Sequence, residues 1–479
     1  MKIFDAAKRA FRGNTFAGNV GVLVGGTASA QILILASAPL LTRLYTPEDF
    51  GVLAVYAALL AFYSIISSLR YELAIPIQES NKDAVPIVIL CLIIVLIMTA
   101  ISAFMIVLIG EKLAGVLGAE GLSGYFWLLP VGIFLSGVYN VFHYWAIRTR
   151  NFSNIAKTNI TQALTTIILQ VIGFKFGSVA LIIGQTGGQG AGSIRLGREA
   201  LKYEEMAEWR WREVWCAARK HYRFPFFSTW SALFNAAGTQ LPPIMFSIFF
   251  NSSAAGLYAL ANRVLALPTS ILGGAIGSVF LSQATEAIKN NQLRSLVEKI
   301  HKNLSEIAMP FVLILMLAAP DLFSFFFGEP WRQAGVFASW LSPFLYVQFV
   351  TSPISTLHSV VGKQAQGMLF HGILLVSRIL SITIGAAYND LLLSVQLFAL
   401  SSTICWIGFL IWLLGLANCS PFRTIVGTTS KTLVLSSGIV LPTLISIYCD
   451  ASFYFILLAL FFSGVIVSCR IYYLANASS

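Results

Sequence analysis

Residues 84–109 read AVPIVILCLIIVLIMTAISAFMIVLI, an uninterrupted apolar run in which Thr99 and Ser102 are the only hydroxyls and no residue is charged. At about 1.5 Å per residue a helix of this length exceeds the ~30 Å hydrocarbon core of a bilayer. A helix on the surface of a soluble domain would need a polar face, and this one has none. Working outward, apolar segments recur at 18–42, 50–72, 122–147, 155–174, 177–196, 224–250, 255–282, 304–327, 333–361, 366–388, 391–415, 431–449 and 452–473. Composition agrees: 57% of the 479 residues are hydrophobic and 11% charged, against about 25% charged in soluble domains. The sequence therefore predicts an all-α integral membrane protein with about 14 transmembrane helices, and excludes a soluble enzyme.

The hinges between these segments, such as Thr46-Pro47-Glu48-Asp49 and Asn251-Ser252-Ser253, are short, so neighbouring helices should run antiparallel. Met1 to Gly13 is short, basic and polar, and the apolar segment after it is too long for a signal core, so a retained first span is expected. With the N-terminus in the cytoplasm, all but six of the 31 Lys and Arg fall on inner loops or inner span ends; Arg43, Lys112, Lys175 and Arg332 lie outside, and Arg263 and Arg378 within spans. This bias predicts a multi-pass protein with both termini cytoplasmic. It also explains the net charge of +11 without nucleic acid. The six cysteines are scattered, with no spacing suited to a metal site or disulfide framework.

The one sizeable polar segment, Arg195 to Arg223, interleaves basic residues with Trp209, Trp211 and Trp215 and reads as an amphipathic helix on the cytoplasmic leaflet, in contact with membrane lipids. It separates two similar halves. Tyr45-Thr46-Pro47-Glu48-Asp49-Phe50-Gly51 in the first corresponds to Phe250-Asn251-Ser252-Ser253-Ala254-Ala255-Gly256 in the second, and Trp127-Leu128-Leu129-Pro130 to Trp340-Leu341-Ser342-Pro343. An even number of helices separates corresponding segments, so the halves share one orientation. The predicted organisation is an N-terminal six-helix lobe (1–197), a connector (198–223), a second six-helix lobe (224–415) and two further helices (416–479), the two pseudo-symmetric lobes enclosing a central cavity. That is a transporter's architecture.

Charges within spans are expensive and tend to face water or a partner. Arg263, beside Asn262, and Arg378 are the mid-span arginines; Arg70 and Glu72 stand at the inner end of the second span. Asn140 and His143 share one helical face, as do His371 and Arg378. Histidines 143, 358 and 371 are either proton relays or hydrogen-bonded packing groups. Arginines with few buried acids favour an anion, phosphate above all, over an organic cation. No phosphate-binding loop of the GxxxxGK[ST] type is present, and Gly184-Gln185-Thr186-Gly187-Gly188-Gln189-Gly190 lies within a span, where helix packing explains it.

Leu41 to Gly51, Leu69-Arg70-Tyr71-Glu72-Leu73-Ala74-Ile75-Pro76 and Phe327-Gly328-Glu329-Pro330-Trp331-Arg332-Gln333-Ala334-Gly335 resemble segments of bacterial polysaccharide flippases of the Wzx type, and Ala261 to Pro268 is similar to a motif of the related lipid II flippases. The resemblance implies the fold of multidrug and toxin extruders and residence in the bacterial inner membrane. It also implies flipping of undecaprenyl-pyrophosphate-linked glycan by alternating access, for O-antigen, lipopolysaccharide, capsule or exopolysaccharide synthesis. No cofactor is implied; an H+ or Na+ gradient is the implied energy source and the polysaccharide polymerase machinery a candidate partner. By position Arg263, and less directly Arg70, inherits a cavity-arginine role; Arg378 matches no family motif. Replacing Arg263 or Arg378 is expected to impair transport more than folding. Two alternatives stand beside this reading: a drug or cation antiporter of the same fold, disfavoured by the acid-poor spans, and a membrane-embedded polymerase, disfavoured by the short external loops.

Overall fold

A computed structural model describes residues 15–269 and 273–448, all of whose regular elements are helices. The basic N-terminal segment, the span expected at 452–473, and Cys449 and Cys469 lie outside the described residues.

The first of two compact units ends at Gly256. It contains α1 (Thr15–Ala36), α2 (Ala38–Leu44), α3 (Pro47–Ile66), α4 (Asn81–Val116), α5 (Leu128–Arg148), α6 (Phe152–Ile172), α7 (Ser178–Ala200), α8 (Trp211–Lys220) and α9 (Thr229–Phe249). Local chemistry sets the helix starts. Thr46 and Asp49 form a reciprocal capping box ahead of α3, with Pro47 at its first position, and Ser80 caps α4 by accepting from the Asp83 N–H. The glycines of α7 let it lie close on α6, since a Cβ on Gly184 would meet Gln170 Cγ at 2.4 Å and one on Gly188 the Gln162 carbonyl oxygen at 3.0 Å. Trp145, Ile87, Val88 and Ile155 are among the side chains filling one core cluster, against which the connector residues Met206 and Trp209 pack.

The sequence places residues 224–256 in the second lobe; the structure packs them in the first unit. The reason is backbone-to-backbone contact with α3. A Cβ on Gly51 would stand 1.6 Å from the Ser252 carbonyl oxygen, and one on Gly256 would stand 1.9 Å from that of Pro47. The Ser252 hydroxyl also donates to the Gly118 carbonyl at 2.7 Å.

The second unit begins at Leu257, within α10 (Ser252–Leu265), and continues through α11 (Gly274–Lys289), α12 (Leu293–Phe327), α13 (Arg332–Thr351), a single turn at Leu357–Val360, α14 (Gln364–Ala387), α15 (Leu391–Leu416) and α16 (Pro421–Tyr448). Gly328, at φ 101°, supplies the turn between α12 and α13, which seats Trp331 in the core. Arg332 pairs with Asp321 at 2.8 Å across the same turn, and Gly335 lets α13 approach the Ala319 carbonyl. Phe370 and Phe409 stack at 3.9 Å between α14 and α15.

Among the described residues, seven helices or helix pairs are long and apolar enough to cross a membrane: 21–44, 47–66, 81–110, 293–327, 329–360, 364–387 and 391–416. The chain is thus a multi-pass membrane protein by length and composition. Helices α5, α6, α7 and α9, the segment 255–282 containing α10 and α11, and α16, which the sequence also reads as spans, fall outside this group. α5 carries Asn140, His143 and Arg148, α6 carries Asn159, Gln162 and Gln170, α7 is rich in glycine and glutamine, and α9 holds Asn235, Gln240 and two prolines. Much of that polarity in α5 to α7 is used between helices.

Candidate functional site

After α3 the chain turns through Leu69 (φ 49°) and Arg70 (φ 63°), both left-handed, into a short 3-10 turn at Tyr71–Ala74. Non-glycine residues adopt this conformation rarely and at a cost of about 1–2 kcal/mol each. The turn aims Arg70 NH1 at Glu72 Oε1, 3.4 Å away; the arginine side chain keeps 26% of its exposure and the glutamate 2%. The Ser68 hydroxyl donates to the other Glu72 oxygen at 2.5 Å. Arg70 Nε is buried and, among the described residues, has no acceptor.

Below this pair, Arg148 at the end of α5 clasps the segment leading into α4, donating to the Gln78 carbonyl at 2.5 Å and to Asn81 Oδ1 at 3.1 Å. Tyr144 lies within electrostatic reach of both Arg70 and Glu72, and its ring meets that of His143 edge-on at 6.0 Å. From there a polar line crosses the unit. His143 Nδ1 is 3.4 Å from the Tyr139 hydroxyl, which donates to Asn159 Oδ1 on α6 at 3.2 Å, whose amide donates to Thr27 Oγ1 on α1 at 3.0 Å. Asn140 stands on the same face of α5, half-buried. The structure thus pairs Arg70 with Glu72 at the turn after α3 and places His143 in a polar surface across α5, α6 and α1, with Asn140 on the same face of α5.

Sequence reasoning missed several members of this surface. Besides Arg148, Tyr139 and Asn159, it missed Arg195 on α7, which donates to Asn154 Oδ1 at 3.2 Å and Thr161 Oγ1 at 2.9 Å on α6. The available signal was α6 itself, which sets Asn154, Thr158, Thr161, Gln162 and Thr165 among its apolar residues at helical spacing.

In the second unit Asn262 and Arg263 are half-buried on α10. Neither has a side-chain hydrogen bond or ion pair among the described residues. Arg378 is different. Its guanidinium is buried between the rings of Phe344 and Phe398, 5.2 and 5.1 Å from their centroids, and its Nε donates to Ser402 Oγ on α15 at 3.1 Å. It joins α13, α14 and α15. His371, seven residues earlier, is exposed beside the rings of Phe370 and Phe409, and His358 Nδ1 hydrogen-bonds the Ser355 carbonyl. Among the described residues no group of His, Cys, Asp and Glu has a metal-binding arrangement.

These features can be set beside known proteins. The succinoglycan biosynthesis transport protein ExoT of Rhizobium meliloti (strain 1021) is 21% identical over 426 residues, covering 87% of this chain and 83% of its own. In three dimensions the chain is similar to the lipid II flippase MurJ in an inward closed conformation, with a TM-score of 0.72 and 14% identity over 94% of this chain and 97% of that one. It is also similar to an inward-facing multidrug resistance MATE transporter of the MOP superfamily, at 0.57 and 16% identity over 83% and 96%. Residues 40–335, from α2 past the Gly328 turn, match the family described as Polysaccharide biosynthesis protein. That match takes in the Arg70–Glu72 turn, the polar surface of α5 to α7 and Arg263, and with it the chain belongs to the polysaccharide biosynthesis protein family, on the fold shared by the flippase and the MATE transporter.

Proposed function

We propose that the chain is a flippase that moves undecaprenyl-pyrophosphate-linked oligosaccharide units from the cytoplasmic to the periplasmic leaflet by alternating access, for assembly of an extracellular polysaccharide. The observation that carries this reading is Arg263, an arginine within a helix that has no protein counter-charge among the described residues. An arginine at membrane depth is costly unless something satisfies it, and a pyrophosphate offers matching oxygens. Family membership and the transport role named for the similar succinoglycan protein support a glycan cargo.

In this reading Arg263 and Asn262 hold the anionic headgroup. Within the first unit, Arg70, steered by Glu72, and the side chains of Asn140 and His143 offer hydrogen bonds to sugar hydroxyls. The lipid tail stays in the bilayer. Arg378 and His371 serve helix packing. Energy comes from an H+ or Na+ gradient.

The test is depletion of the protein in cells, with the sidedness of accumulated lipid-linked units read by an impermeant probe. Accumulation on the cytoplasmic leaflet supports flipping. Units stranded on the periplasmic leaflet would replace the proposal with polymerisation, and no accumulation would replace it with drug or cation antiport.

A further inference from the structure

Away from every residue assigned above, a cavity of about 590 Å³ opens between the N-terminal parts of α12 and α16. Just ahead of α16, Cys419 Sγ lies 3.8 Å from the Arg294 carbonyl oxygen in the first turn of α12. At 35 residues α12 is about 52 Å long, well beyond the ~30 Å hydrocarbon core, so its first turns stand at the membrane surface. This is the end that the Lys/Arg distribution predicts to face the cytoplasm.

The lining is periodic. On α12, Arg294, Glu298, Lys302 and Glu306 recur every four residues along one face; on α16, Arg423, Gly427 and Lys431 do the same, with Thr424, Thr428 and Thr432 beside them. Four cations therefore face two carboxylates, and one of these, Glu298, already pairs with Arg294 at 3.0 Å. The charge balance favours an anion, and arginine, lysine and hydroxyl groups together suit phosphate oxygens. The volume lies within the range of small-molecule sites. Gly427 keeps the space open, since a Cβ there would meet nothing within 4 Å.

The source of the phosphate follows from the cavity's edge. Leu435 ends the polar lining at 52% exposure, and its neighbour Val434 is 73% exposed. A headgroup in the cavity would have its acyl chains continue along apolar surface, whereas a soluble anion would use only the polar part. Basic pockets between membrane helices on the cytoplasmic side are a recurrent means of binding anionic lipid. We propose that the α12–α16 cavity binds the phosphate headgroup of an anionic bilayer lipid, separately from the transported glycan lipid.

The test uses the full-length protein in detergent, with its unfolding midpoint followed during titration with phosphatidylglycerol, phosphatidylcholine or inorganic phosphate. Phosphatidylglycerol should raise the midpoint, and phosphatidylcholine and inorganic phosphate should not. In the Arg423→Gln/Lys431→Gln double variant half-saturation should weaken by about tenfold or more, as expected for two lost surface cations. Gly427→Glu adds a carboxylate where there is room for it, so it should abolish the shift while leaving the lipid-free midpoint unchanged. This variant decides the matter if the double variant does not fold. An undiminished phosphatidylglycerol shift in Gly427→Glu overturns the site. An equal shift from inorganic phosphate overturns the lipid as its ligand.

Discussion

Gly51 and Gly256 occupy equivalent places in the two repeat turns, and each is pressed against the other's turn: Gly51 against the Ser252 carbonyl, Gly256 against the Pro47 carbonyl. Since Ser252 is to Gly256 as Pro47 is to Gly51, the two contacts are the same contact seen from either side, as an approximate two-fold relation requires. Gly51→Ala or Gly256→Ala forces backbone to move, because a carbonyl oxygen rather than a flexible side chain occupies the space. Each should destabilise the protein by about 1–3 kcal/mol or more, read as a lower unfolding midpoint in detergent. Gly408→Ala, at a helical glycine with nothing within 4 Å, should leave the midpoint unchanged or raise it slightly.

Arg378→Ala should impair folding more than transport, the reverse of the expectation from sequence. It removes a buried guanidinium from between Phe344 and Phe398 and leaves Ser402 without its donor. Breaking a buried charged interaction and opening a cavity together cost about 3 kcal/mol or more. Expression level and unfolding midpoint should fall together, while glycan transport per folded molecule stays near that of the unmodified protein.

Arg263→Ala should do the opposite. With no protein partner to lose among the described residues, the fold should persist, and glycan export should fall at least tenfold. Arg263→Lys should restore it only in part, because an ammonium lacks the planar fork that matches phosphate. Full export by a well-expressed Arg263→Ala variant would remove Arg263 from the headgroup site.

At Arg70, backbone and charge can be separated. Arg70→Gly relieves the left-handed conformation at φ 63° while leaving the buried Glu72 without its counter-charge, so the strain relief offsets only part of the stability loss and transport should drop. Arg70→Val keeps the strain and adds a β-branched side chain, and its unfolding midpoint should fall below that of Arg70→Gly.

The connector should respond to pH through His221. Gln78 Nε2, a donor, lies 3.2 Å from His221 Nε2, which must therefore be unprotonated to accept. Burial, reinforced by Lys220, holds this imidazole below its usual value of 6.5. The folded state thus binds fewer protons than the unfolded one, and the contribution is present above about pH 6.5 and lost as pH falls through the lowered value. Gln78 and His221 line a cavity of about 770 Å³ together with Lys82, Asp83, Glu208, Glu213 and Lys220. Protection factors for hydrogen exchange in residues 203–221, corrected for the intrinsic pH dependence of exchange, should fall on acidification in the unmodified protein, and His221→Gln should flatten that dependence.

The run at 84–109 was legible because a membrane helix is defined by local composition, and the hinge at Thr46–Asp49 because its proline and polar residues are consecutive. Arg378 was not legible as a packing residue. A mid-span arginine looks the same in sequence whether it meets a ligand or two phenylalanines on other helices, and Phe344, Phe398 and Ser402 lie 20 or more residues from it. Arg148 and Arg195 were passed over because both stand at span ends, where contact with the lipid surface already accounts for an arginine; their acceptors at Gln78, Asn154 and Thr161 are apparent only once α5, α6 and α7 are side by side. The pairing of Arg70 with Glu72 was within reach of the sequence, but the left-handed turn that brings them together was not.

The placement of α9 bears on how the protein is made. The groove on α3 at Gly51 is filled only when Ser252 arrives, the Tyr71 hydroxyl and Lys82 reach acceptors on Ala218 and Glu208, and the Asn81 amide donates to Glu205. During synthesis the first unit therefore cannot close until about residue 256 has left the ribosome, seven predicted spans into the chain. A gene divided in the connector would release a fragment with an open seam, whereas one divided after α10 would release a fragment with every one of these partners already in hand.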